Sequence, residues 1–239
     1  MIKIGSLFFK YRNYIFPVVF ILSLIFIKPK PFLGSVSMDR WMDFLGMMVA
    51  LSGEILRILV IGYIYIKRGG KNKRVYAEDL VQGGLFALVR NPLYLGNIII
   101  LIGIAIIINS EPFYIIGIPF FVFFYFSIVI AEEDFLRKKF GSEYEEYCKR
   151  VNRFLPDFKR LREATKDIHF NWKRVISAEY GTFFAGIYSI LFLILWEKYY
   201  FFGYSIKGSK ILDILYLYIL FTFLYIITRY LKKSGRLSS

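Results

Sequence analysis

The chain has 239 residues, 57% of them hydrophobic and 20% aromatic, and carries a formal charge of +14. A soluble globular domain holds roughly 45–50% apolar residues, so the composition excludes an ordinary water-soluble domain and points into a bilayer. The single cysteine excludes an intramolecular disulfide or a thiolate cluster, and the single histidine excludes a multi-histidine centre. No carboxylate cluster is expected within the apolar runs, and no metal is assigned.

Six apolar runs read as membrane spans, at about 14–33, 42–66, 93–109, 112–131, 177–197 and 211–229. A hydrocarbon core of ~30 Å calls for ~20 apolar residues per helix, and 93–109 is the shortest run. The expected fold is all-α, a polytopic membrane helix bundle with amphipathic helices on one face. It divides into 1–41 (first span and outer loop), a core at 42–157, and 158–239 (interfacial helix and C-terminal hairpin). The first run is expected to be retained, because Lys28-Pro29-Lys30-Pro31 follows it instead of a small-residue cleavage site.

Of the 32 Lys and Arg, only Lys28, Lys30, Arg40, Lys198, Lys207 and Lys210 fall in the connections on one side, with Arg57 inside a run. The rest gather on the other side, which the positive-inside rule makes cytoplasmic together with both chain ends. A basic inner face that attracts anionic headgroups accounts for the charge, and no nucleic-acid partner is expected. Nothing in the sequence fixes an oligomeric state.

In the second run Glu54 and Arg57 share a helical face at i,i+3. Charges inside a bilayer are costly and mark function or packing. The pair reads as mutually satisfied; alternatively, Arg57 lines a substrate cavity. Next comes Gly83-Gly84-Leu85-Phe86, then Arg90-Asn91-Pro92-Leu93-Tyr94-Leu95-Gly96. Pro92 forces Asn91 out of the α region and suits a helix start. The N–H groups of that new helix form a natural carboxylate site. Arg90 adds a fork of donors, and Tyr94 or Phe86 can stack on an aromatic ring.

Asn109-Ser110-Glu111-Pro112 reads as a tight turn with Pro in the first turn of the next helix. The hairpin returns Glu132-Glu133 to the face that holds Arg90–Tyr94. Leu136, Phe140, Tyr144, Tyr147 and Val151 then form one stripe of a helix over 133–150. Residues 158–175 set Leu161, Ile168 and Trp172 against many cations, the pattern of a helix lying on headgroups. Gly181 and Ala185 give a small-xxx-small spacing for close helix approach. His169, beside Asp167, reads as an interfacial residue and Cys148 as a packing residue.

In order, these motifs run Gly84, Phe86, Arg90-Asn91-Pro92-Leu93-Tyr94-Leu95-Gly96, Glu132-Glu133, Phe140-Gly141, Tyr144, Tyr147, Val151, Arg153 and Leu155-Pro156. The set resembles the integral-membrane methyltransferases that include isoprenylcysteine carboxyl methyltransferases and phospholipid N-methyltransferases, over about 42–157. The resemblance implies S-adenosylmethionine contacts at Glu78, Asp79, Leu80, Val81, Phe86, Asn91, Pro92, Leu93, Tyr94, Glu132 and Glu133. It implies that Glu132 lies near cofactor or acceptor, the acceptor being a membrane lipid or lipidated small molecule; Arg90 and Glu132 are the candidate catalytic residues, and Arg57, from its charge inside a run, is the candidate substrate contact. Asn91 stands where that family usually has His. Ile128 stands where the prenylcysteine enzymes place an acceptor-binding Arg. Methyl transfer to a carboxyl oxygen or an amine nitrogen is the leading expectation. A nicotinamide-dependent reductase of the sterol-reductase type, which shares an Arg/Pro/Tyr/Gly segment, and a non-enzymatic lipid-binding protein are the alternatives.

Overall fold

A computed structural model describes residues 1–26, 28–64, 68–71, 74–164, 169–202 and 208–237. Lys67, Lys73, Lys166, Asp167, Ile168 and Lys207, all part of the patterns above, lie outside the described residues. The long helices are α1 (Ile2–Phe26), α2 (Val36–Tyr63), α3 (Pro92–Ile108), α4 (Ile118–Phe140), α7 (Trp172–Phe202) and α8 (Gly208–Lys233). Between them lie α5 (Ser142–Arg150) and α6 (Leu161–Ala164). Among the described residues, four stretches are long and apolar enough to cross a membrane: Val36–Tyr63, Phe113–Phe140, Trp172–Phe201 and Ile211–Lys233. Helix α3 is a shorter apolar helix of 17 residues.

Several boundaries differ from the sequence expectation. Helix α1 starts at Ile2, carries Lys3, Lys10 and Arg12 in its first half, and is not one of those four. The chain from Lys28 to Pro31 is not helical, because Pro29 and Pro31 lack the N–H that a helix needs and clash with the preceding turn. An antiparallel hairpin of β1 (Arg68–Lys71) and β2 (Arg74–Ala77), with Arg68 opposite Ala77, interrupts the all-α pattern. Helix α4 does not stop at the glutamates but runs on to Phe140, where Gly141 at φ +53° ends it. A side chain would resist that conformation, so the 133–150 helix is divided there. The apolar stripe survives the break: Leu136, Tyr144, Tyr147 and Val151 are buried together with Ala77.

The single interfacial helix expected over 158–175 is also absent. A 3₁₀ turn over Phe158–Arg160 leads into α6, and α7 begins separately at Trp172. Asn171 accounts for the restart, its Oδ1 accepting from Arg174 N at 3.0 Å as an N-cap does. Phe158, Leu161 and Trp172 do present apolar surface outward. The turn at residues 109–110 matches expectation, with Asn109 left-handed at φ +44° and Tyr114 N donating to Ser110 O. A π-helical turn over Phe113–Gly117 opens the return helix.

The most extensive packing in the bundle joins α2 to α3. Gly46 lies against the Gly103 carbonyl, and Gly53 against that of Gly96. Each helix presents glycines seven residues apart on one face, so the backbones meet without side chains between them. The Gly181/Ala185 face lacks this role, since a side-chain carbon at Gly181 would meet open space. A second apolar cluster unites Leu101, Ile104 and Ile108 of α3 with Phe121, Phe20 of α1 and Leu193 of α7. The C-terminal hairpin is thereby seated on the core.

Alanine gains up to ~1 kcal/mol over glycine in a helix. At Gly103, however, its methyl carbon would sit 2.5 Å from Ala50 N and from Gly46 O. Overpacking of ~1–3 kcal/mol then outweighs propensity. Gly103→Ala is expected to lower the unfolding temperature in detergent, whereas Gly181→Ala leaves it unchanged or raises it.

Candidate active site

The loop before α3 is built by backbone clamps. Gly84, at φ +55°, turns the chain into a 3₁₀ turn over Gly84–Ala87, and Phe86 is fully buried with its carbonyl accepting from Tyr147 OH at 2.8 Å. Asp157 N donates to Leu88 O at 2.9 Å, and Arg90 N donates to Asn152 O at 2.8 Å. Lys139 Nζ donates to the carbonyls of Ala77 and Glu78. Glu78 and Asp79 are exposed, while Leu80 and Val81 are half-buried. Pro92 is the first residue of α3, and Asn91 precedes it at φ −127°, ψ 56° without a side-chain cap.

Consecutive residues of an α-helix point about 100° apart, and Glu132 and Glu133 use that divergence. Glu132 turns toward α3, where Tyr94 OH donates to its Oε1 at 2.8 Å. Glu133 turns toward the loops. Its Oε2 accepts from Arg153 NH2 at 2.7 Å, and its Oε1 from Asn91 Nδ2 at 3.1 Å. Arg90 Nε approaches the same carboxylate at 3.7 Å, and the Arg90 guanidinium also donates to Cys148 Sγ. Cys148 therefore does more than fill space. Burial, reinforced by the Glu133 charge, pushes the Tyr144 phenol well above its usual range. The hydrogen bond to Glu133 raises Arg153 in turn. The two expected polar clusters do meet, but they split: Tyr94 and Glu132 on one side, Arg90 and Glu133 on the other, with Asn91 between them.

Tyr94 and Glu132 look into a cavity of about 1090 Å³ whose walls come from α1, α2, α3, α4 and α7. Asn91, Leu93 and Arg57 also line it; Arg90, Phe86, Pro92, Glu133 and residues 78–81 are not among its lining residues. Arg57 does not pair with Glu54 as the sequence suggested. Its Nε and NH2 bind Glu179 of α7, the shortest contact being 2.7 Å, and NH1 binds Asn97 Oδ1 at 2.6 Å and Leu93 O at 3.3 Å. A guanidinium has five N–H donors, and all are engaged. Glu54, 8% exposed, keeps an Oε1 without a hydrogen-bond partner.

Glu179 and Asn97 were not singled out from sequence. The rule that flagged Glu54 applies equally to Glu179, a carboxylate inside an apolar run. The expectation of no carboxylate cluster in the spans is corrected as well. Asp39 and Asp43, one turn apart on α2, meet Glu197 of α7 with carboxylate oxygens all within 4.8 Å of one another. Glu197 is far in sequence from the two aspartates, and only the antiparallel run of α7 along α2 brings it to them.

The fold and this site define a polytopic helical membrane protein with a polar-rimmed chamber at the end of its apolar core. Residues 41–143 match the family model of phospholipid methyltransferases. A probable protein-S-isoprenylcysteine O-methyltransferase of Oryza sativa is 31% identical over 124 residues, 49% of this chain and 63% of that protein. The Xenopus laevis protein-S-isoprenylcysteine O-methyltransferase is 30% identical over 126 residues, 51% of this chain and 43% of its own length. The Arabidopsis thaliana protein-S-isoprenylcysteine O-methyltransferase B is 29% identical over 129 residues, 52% of this chain and 64% of its own length. The chain thus spans less than two thirds of these curated relatives. No solved structure matches it. These matches make the part of the chain they cover similar to phospholipid and protein-S-isoprenylcysteine methyltransferases.

Removing one partner of a buried ion pair leaves an uncompensated charge and costs ~3–5 kcal/mol, whereas replacing both by apolar residues is close to neutral. Glu179→Ala is therefore expected to destabilise the protein strongly in thermal unfolding. The double variant Arg57→Met/Glu179→Leu should recover most of that loss.

Proposed function

We propose that this protein transfers a methyl group from S-adenosylmethionine to a lipid-like acceptor held in the membrane. The observation that carries this reading is the Tyr94–Glu132 contact at the polar rim of an apolar chamber. A water-soluble donor and a membrane-soluble acceptor have to meet at such a rim. The family match over 41–143 supports the same reading. With the basic face cytoplasmic, as the cation asymmetry argues, both chain ends lie in the compartment that supplies the donor.

The residues fit this donor. Asn91 spends its amide on Glu133 and Arg153, so no side chain caps the first turn of α3. That turn suits the carboxylate of an amino-acid moiety. Glu132 supplies negative charge for its ammonium or sulfonium. Leu80 and Val81, half-buried, stand as the apolar side of a nucleoside site, with Glu78, Asp79 and Leu93 beside it and the buried Phe86 and Pro92 supporting it. When bound, the sulfonium supplies an activated methyl carbon, which passes to the acceptor as the carbon–sulfur bond breaks. The protein's own task is alignment and exclusion of water. Tyr94 holds Glu132 in place. Arg90 and Glu133 act as positioning residues, fixing Asn91 and the start of α3 through the contacts to Arg153. Arg57, with every donor engaged, positions the walls of the acceptor chamber.

Titration of the detergent-solubilised protein with S-adenosylmethionine tests the reading. Glu132→Ala and Tyr94→Ala are each expected to weaken binding at least tenfold, a loss of about 1.4 kcal/mol, while NADPH shows no saturable binding. Undiminished affinity in both variants would remove the site assignment, and saturable NADPH binding without S-adenosylmethionine binding would favour a reductase. Incubation with labelled donor and extracted membrane lipids should yield one lipid species heavier by a single methyl group.

A further inference from the structure

One exposed stretch on the basic side of the protein interleaves apolar and cationic side chains. Leu155 and Phe158 are 75% and 71% exposed, and Leu161 is half exposed. Lys159 and Arg162, set between and after them, are exposed as well. Among the described residues neither has an ion-pair partner, whereas Arg160 pairs locally with Asp157 at 3.9 Å. Over 153–174 the chain carries seven Lys and Arg against three Asp and Glu, so the region is net cationic.

The depth of this stretch follows from what anchors it. Phe154, just before it, sets its ring 6.1 Å from that of Phe126 on α4, and the Arg153 guanidinium lies over the same Phe126 ring. Phe126 precedes Glu132 by six residues of α4, about 9 Å toward the apolar part of that helix at 1.5 Å per residue. The stretch therefore leaves the protein at the edge of the apolar zone, on the membrane side of the polar rim. The chain returns to the end of α2, where Asn171 N donates to Gly62 O at 2.9 Å and Trp172 stands exposed beside it. On its inner side the stretch meets the loop before α3. Asp157 N donates to Leu88 O, Arg90 N donates to Asn152 O, and Ala164 is buried against Leu85, Ala87 and Leu88.

We propose that residues 155–162 form a docking site for an anionic phospholipid, and that its occupancy steadies the loop before α3 and so tightens donor binding. Leu155, Phe158 and Leu161 enter the acyl boundary while Lys159 and Arg162 meet the negative headgroup, the division an interfacial segment makes. A phosphatidylcholine headgroup carries its own cation and offers these side chains no net charge. A soluble anion would leave the apolar members in water. Docking reaches the donor loop because the hydrogen bonds at Leu88 and Asn152 join the two backbones directly. Arg153 extends the link through Glu133 to Asn91. The docking site stands independently, and only its effect on the donor rests on the methyl-transfer reading.

A single indole in the stretch reports on its lipid neighbours: Phe158→Trp in a full chain that also carries Trp41→Phe, Trp172→Phe and Trp196→Phe. In phosphatidylcholine nanodiscs, doxyl-labelled phosphatidylglycerol is expected to quench this indole at least about twofold more than doxyl-labelled phosphatidylcholine at equal mole fraction. Adding Lys159→Gln/Arg162→Gln is expected to equalise the two, since each cation near the surface favours anionic lipid by about fivefold. With unlabelled lipids, S-adenosylmethionine is expected to bind the wild-type chain several-fold tighter in discs containing phosphatidylglycerol than in phosphatidylcholine alone. The charge variant is expected to lose that difference. Equal quenching by the two lipids overturns the docking site. A donor effect that persists in the charge variant, as attraction of a cationic donor to the disc surface would, overturns the coupling. Should the reporter chain fail to fold, native mass spectrometry of the wild-type protein from discs of both lipids decides: preferential retention of phosphatidylglycerol is expected, and equal retention overturns the site. Preferential quenching in a chain that binds no S-adenosylmethionine in either disc would uphold the docking site and sink the methyl-transfer reading.

Discussion

A guanidinium can be carried inside an apolar bundle only where each of its N–H groups finds an acceptor, and the arrangement around Arg57 follows from that requirement. Leu93 O and Asn97 come from α3, and both carboxylate oxygens of Glu179 come from α7. The residue therefore ties three helices together at one level. It also ties the C-terminal hairpin, which lies beyond the stretch matched to the family, to the stretch that is matched. The chamber owes one of its walls to this tie.

The two adjacent glutamates show how one dipeptide serves two purposes. Helical rotation alone separates them, giving Glu132 to the rim and Glu133 to the loops. Glu133 then collects Arg153, Asn91 and Arg90 around one buried carboxylate. These charge-assisted contacts fix the irregular chain at 88–92 and 152–157 against α4, where no regular ladder could do so. The clamps Arg90 N–Asn152 O and Asp157 N–Leu88 O act on the same two segments.

Much of this was legible in the sequence. The later apolar runs, the turn at Asn109 and the helix start at Pro92 follow from local rules, because proline, glycine and helical period act over a few residues, and the hairpin that this turn makes brings Tyr94 back to Glu132. What escaped depends on pairs distant in the chain. Glu54 and Arg57 are correctly spaced for each other, yet Glu179 offers Arg57 a better-aligned bidentate partner 122 residues away. The Asp39–Asp43–Glu197 cluster exists only because α2 and α7 run side by side. The break at Gly141 was hidden because the stripe on either side stays in phase, Leu136 and Tyr144 facing one cluster. Gly181 and Ala185 matched a spacing rule that says nothing about what lies opposite. Gly46, Gly53, Gly96 and Gly103 fit the requirement because each faces backbone.

That backbone-to-backbone seam also has a mechanical meaning. With carbonyls set where side chains would otherwise cushion the contact, α2 and α3 form a single stiff plank, and neither sliding nor prying them apart is open to them. Breathing of the chamber must therefore be borne by the helices that meet it through side chains. Of these, α7 is latched at Glu179, while α1, set against the Ser127 carbonyl of α4 at Gly5, carries a proline at residue 17 in mid-helix.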